Sequence, residues 1–101
     1  MGIESRFIWM NGALVPYAEA QVHVLSHTLH YGLGVFEGIR AYRQTGGGGG
    51  VFKLEEHIRR LVDSAKMCNM KLPFTAEEIR AACVETLQAN GFEEAYIRPI
   101  V

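Results

Sequence analysis

The segment from Thr75 to Gly91 constrains the fold most, because it carries both a start and a stop. Thr75-Ala-Glu-Glu78 has the residues of a capping box, and Phe74 and Ile79 are placed as a hydrophobic staple. Gly91, following Asn90, is a C-terminal stop. Between them Ile79, Ala82, Cys83, Thr86 and Leu87 form one stripe at helical spacing. Upstream, Leu54, Ile58, Leu61, Val62 and Ala65 make a second stripe over 54–69, with Glu55 and Glu56 in its first turn and Lys66 in a later one, as the macrodipole prefers. Lys71-Leu72-Pro73 reads as the linker. Two amphipathic helices in a row need an apolar surface to cover, and the flanking segments must supply it.

Those segments read as strands. Residues 6–10 are rich in β-formers, and Asn11-Gly12 is a strong hairpin signal before Ala13-Leu14-Val15, with Pro16 at the far end. Ser26 is placed to cap a brief helix through Tyr31, stopped by Gly32. Val35–Arg43 predicts a strand with Phe36, Gly38, Arg40 and Tyr42 on one face and Val35, Glu37, Ile39 and Ala41 on the other. Gly46–Gly50 predicts a mobile hairpin tip, and Val51-Phe52-Lys53 its return strand. Ala95–Val101 predicts a last strand with Tyr96, Arg98 and Ile100 on one face. The expected class is α+β, a mainly antiparallel sheet with two helices packed on one side.

A net charge of −1 offers no cationic surplus for nucleic acid. No apolar run approaches the roughly 20 residues of a membrane span, and the N-terminus lacks the layout of a signal peptide. Cys68 and Cys83 show no metal-ligand spacing and read as buried or semi-buried thiols in a reducing cytoplasm. The apolar finish at Ala95–Val101 reads as a chain whose second domain lies further on, with residues 1–101 as an N-terminal small domain.

His27 to Tyr42 mixes Gly32, Gly34 and Gly38 with aromatics, two histidines, Glu37 and Arg40, and reads as a wall facing a ligand. His23, His27 and His30 would share a face only if one helix held all three, so a metal site competes with connector residues satisfied by backbone. His57 reads as a surface residue among Glu55, Glu56 and Arg60. Arg59 and Arg60 point about 100° apart on a helix. Arg60, beside the apolar stripe, is the better candidate for an anion, against a surface ion pair. Arg98, in an apolar strand with Tyr96 two residues earlier, reads as carboxylate recognition, against an internal partner such as Glu37. The glycine run lacks the Lys-Ser/Thr of a phosphate loop. Lys53, Lys66 and Lys71 have no apolar setting suited to a nucleophile, so the residues offer a binding wall without a reaction centre.

Phe7–Gly12, Val22–His27, Leu29–Gly32, Gly34–Tyr42, Phe52–His57, Arg60-Leu61 with Asp63–Lys66, and Ala95–Pro99 together resemble the N-terminal domain of bacterial branched-chain amino acid aminotransferases, fold-type IV enzymes of the D-amino acid aminotransferase-like superfamily. The resemblance implies a pyridoxal 5'-phosphate enzyme that exchanges an amino group between leucine, isoleucine or valine and 2-oxoglutarate. It implies that Arg60 binds the cofactor phosphate, that Tyr31 and Phe36 line the side-chain pocket, and that Tyr31 does so across a homodimer interface. Tyr96 would lie near the substrate α-carboxylate, and Arg98 would hold the γ-carboxylate of glutamate. The family's cofactor-bearing lysine would lie beyond residue 101, leaving this chain alone inactive. Rival readings are a D-amino acid aminotransferase or aminodeoxychorismate lyase of the same superfamily, a non-catalytic ligand-binding module, and a histidine metal domain.

Overall fold

A computed structural model describes residues 5–45 and 49–101. Strands β1 (Phe7–Met10) and β2 (Ala13–Pro16) form an antiparallel hairpin, and α1 (His27–Tyr31) follows a connector. Then come β3 (Ile39–Arg43), β4 (Gly49–Val51), α2 (Leu54–Met67), α3 (Ala76–Asn90) and β5 (Ala95–Ile97). The class is α+β, and the strands divide between the two-stranded hairpin and an antiparallel sheet of order β4-β3-β5.

Local chemistry accounts for most of these limits. Asn11 and Gly12 both have positive φ, the backbone a two-residue hairpin turn demands. Thr75 accepts from the Glu78 amide and Glu78 answers at the Thr75 amide, so the capping box closes as expected. Ile39 from β3, Leu54, Ile58 and Leu61 from α2, and Ile79 and Cys83 from α3 form the core cluster. Burial pushes the Cys83 thiol up to about 11 and keeps it protonated. Cys68, in contrast, is exposed, because α2 ends at Met67 rather than Asn69 and leaves it on the turn.

The first hairpin docks on the end of α3 through Asn90, which the stripe reading passed over. Its buried amide accepts from the Arg6 and Phe7 amides at 2.6 and 2.9 Å and donates to the carbonyls of Phe7 and Thr86. Trp9 meets Phe74 edge-on, with ring centroids 5.0 Å apart.

The strand expected over 35–43 is regular only from Ile39. Its register against the last segment is nonetheless constant. Ile39 faces Ile97, Arg40 faces Tyr96, and an isolated bridge pairs Phe36 with Ile100. Pro99 lacks an amide to donate, so the ladder lapses there while its carbonyl still accepts from Glu37. The return strand is Gly49–Val51 rather than 51–53, since Lys53 takes a left-handed backbone and turns the chain into α2. The expected mobile tip at Gly46–Gly50 falls mostly on 46–48, outside the described residues. Among the described residues no helix is long and apolar enough to cross a membrane.

Candidate functional site

Strand β3 and the segment before it separate two environments. Glu37, Ile39 and Ala41 are buried, whereas Phe36, Arg40 and Tyr42 are exposed. This is the alternation expected from the sequence, and it places two different arginine sites on opposite sides of one strand.

The outer site gathers Phe36, Tyr96 and Arg98. The Arg98 guanidinium stacks on Phe36, its Cζ 4.5 Å from the ring centroid, and Nη2 donates to the Tyr96 hydroxyl at 2.9 Å. Tyr96 reaches Arg98 by leaning over Gly38. A Cβ there would collide with the Tyr96 hydroxyl, so glycine is needed for close approach. Arg40, opposite Tyr96 in the register, brings a second guanidinium within 5.9 Å of the tyrosine ring. Arg98 has no carboxylate partner among the described residues. Glu37, the internal partner considered from residue types, is engaged elsewhere. A guanidinium fixed on aromatic faces, with donors left over and apolar surface beside it, suits an anion attached to an apolar body.

The inner site centres on Glu37, whose side chain is 6% exposed. Arg60 donates through Nε to Oε2 and through Nη2 to Oε1, both at 2.7 Å. His57, one turn earlier on α2, hydrogen-bonds Oε1 through Nδ1 at 2.8 Å. The Arg60 hydrogen bonds hold the Glu37 carboxyl down to about 2; burial opposes them, and the His57 bond adds to them. The same pairing raises the Arg60 guanidinium above its ordinary value. Arg60 is therefore neither a lone cation nor half of a surface ion pair, since its partner carboxylate is buried. His57 is correspondingly not a surface residue, because its ring turns inward to the strand.

Tyr31 stands apart from both sites. It is highly exposed on α1 and packs on the rings of His27 and His30. The three connector histidines do not share a helix, since α1 begins at His27. His23 accepts from the Leu25 amide, and His30 meets the Val24 carbonyl. Among the described residues no three metal-ligand side chains gather. Lys53, Lys66 and Lys71 are all exposed.

Sequence reasoning set Glu37 and Arg40 in the ligand-facing wall but missed their partners, and it missed His57 as a site member. Strand alternation could have brought Arg40 to the Tyr96 face, whereas the contacts of Glu37 with Arg60 and His57 had no local signal.

Comparison with known proteins is consistent with these features. The family profile "Amino-transferase class IV" matches residues 34–101. The branched-chain-amino-acid aminotransferase of Pseudomonas aeruginosa is 50% identical over 94 residues, which cover 93% of this chain and 30% of that protein. The crystal structure of the T.th. branched-chain amino acid aminotransferase complexed with N-(5'-phosphopyridoxyl)-L-glutamate superposes with a TM-score of 0.94 at 49% identity, covering 98% of this chain and 33% of that one. The Escherichia coli branched-chain amino acid aminotransferase gives 0.91 at 43% identity, over 96% and 32%. The chain thus spans about a third of the length of the relatives it matches. With both arginine sites inside the matched region, and the α+β fold shared with these structures, the chain belongs to the class IV aminotransferase family.

Proposed function

We propose that this chain is the N-terminal small domain of a cytoplasmic, pyridoxal 5'-phosphate-dependent branched-chain aminotransferase. The full enzyme would move the amino group between leucine, isoleucine or valine and 2-oxoglutarate. The outer site carries the reading. One pocket must accept both an aliphatic side chain and the γ-carboxylate of glutamate, so an apolar wall needs one anion partner at its edge. Phe36 supplies the apolar surface and Arg98 the partner, stacked on that same ring. Tyr96, bonded to Arg98, is suited to the α-carboxylate side. Tyr31 completes the apolar pocket of a neighbouring subunit in a homodimer.

The residues present fit the cofactor in part. Arg60 uses only one edge of its guanidinium on Glu37, which leaves donors for a phosphate group. Lys53, Lys66 and Lys71 are exposed, and in the proposed full enzyme the lysine that anchors the cofactor covalently belongs to a C-terminal domain. When bound, the cofactor provides the electron sink that makes amino transfer feasible. This chain's residues bind and orient. Alone, the 101-residue chain should neither hold the cofactor covalently nor turn over.

The test is an assay of the native protein containing this chain, with L-leucine and 2-oxoglutarate against D-alanine as amino donor. Turnover with leucine supports the reading. Preference for D-alanine would move the protein to another branch of the family.

A further inference from the structure

Arg60 is held in an unusual way for a residue whose side chain is 67% exposed. Long cationic side chains at such positions ordinarily sample many rotamers. Here a nearly buried carboxylate takes the Nε and Nη2 donors together and is itself braced by His57 from the same helix. A planar guanidinium gripped on that edge has its plane and direction set. What remains is the opposite end, Nη1 and the second hydrogen of Nη2. Among the described residues Nη1 has no hydrogen-bond partner.

We propose that Glu37 is a positioning residue, which acts through Arg60 to aim that free end at the phosphate group of the cofactor. This rests on the reading of Arg60 as a phosphate contact. It goes further in assigning a function to a buried acid that would otherwise be a structural ion pair. It also makes a prediction whose sign is opposite to the simplest electrostatic one. By Coulomb's law, removing a carboxylate beside the guanidinium should tighten binding of an anion. If orientation dominates, removing it should weaken binding.

The experiment uses the cofactor-free native protein containing this chain. Affinities for pyridoxal 5'-phosphate and for pyridoxal, which lacks the phosphate, are measured by equilibrium dialysis, and their ratio isolates the phosphate contribution. In Glu37→Gln the amide cannot accept both donors, and the ratio should fall by about tenfold, the scale of one charge-assisted hydrogen bond. In an Arg60→Ala background, Glu37→Gln should change the ratio less than about twofold, because the two act as a unit. A purely structural role would not produce that dependence. Should Glu37→Gln fail to fold, Glu37→Asp carries the same expectation, since it keeps the charge but draws it back by one methylene. An unchanged or tightened ratio in the Glu37 variant, with a loss in Arg60→Ala, would overturn the positioning role alone. An unchanged ratio in Arg60→Ala would remove the phosphate reading, and the positioning role with it.

Discussion

The two faces of β3 and the segment before it hold their arginines by opposite means. On the inner face Arg60 meets a buried carboxylate in a bidentate pair, and its charge is largely answered within the domain. On the outer face Arg98 is held by Phe36 and the Tyr96 hydroxyl, with no carboxylate among the described residues. Aromatic faces and a hydroxyl orient a guanidinium without neutralising it. A single strand therefore divides a fixed, compensated cation from a fixed, uncompensated one. The second kind is what recognition of a carboxylate next to an aliphatic surface calls for.

The contrast can be broken by substitutions that respect it or cross it. Ile39→Ala, at a fully buried inner position, should cost about 3 kcal/mol in urea denaturation, the range for an aliphatic core cavity. It should leave the ratio of glutamate to leucine turnover in the native protein unchanged. A shift in that ratio would mean that the faces are coupled. An intermediate effect is expected from acid. The Glu37 carboxyl is held down to about 2 from an ordinary 4.5, so its contribution is present above about pH 4.5 and is lost as pH falls toward 2. Urea midpoints measured between pH 5 and pH 2 should show this loss in the parent protein and a smaller one in Glu37→Gln. Parallel curves would show that the pair adds nothing to stability. The smallest effect is expected at Gly38. Gly38→Ala displaces the Tyr96 hydroxyl from Arg98 with little change in stability. The glutamate-to-leucine ratio should move by about tenfold, the value of one lost hydrogen bond to a charged group.

Much of this division could be read from residue order. Alternation over Val35–Arg43 set Glu37 and Phe36 on opposite sides, and the structure keeps them there. The capping box at Thr75 and the turn at Asn11-Gly12 were legible because each depends on neighbours within a few residues. The ion pair was not, because Glu37 lies 23 residues from Arg60 and 20 from His57. No local spacing connects a strand carboxylate to the helix that packs over it. Asn90 was missed for the same reason, since its partners at Arg6 and Phe7 lie 84 and 83 residues away. The division of the strands into two sheets likewise depends on where the hairpin docks on α3, which helical periodicity does not encode.

The central claim is that the outer face recognises a carboxylate beside an aliphatic chain. The most direct measurement is the binding of glutarate and of 4-methylvaleric acid to the native protein and to Arg98→Met, by isothermal titration calorimetry. The two ligands share a terminal carboxylate; 4-methylvaleric acid ends in a branched aliphatic group, where glutarate carries a second carboxylate. Arg98→Met should weaken glutarate by about 100-fold, the upper range for a hydrogen bond to a charged group, and should change 4-methylvaleric acid by less than about threefold. Equal weakening of the two, or none in either, would contradict the claim.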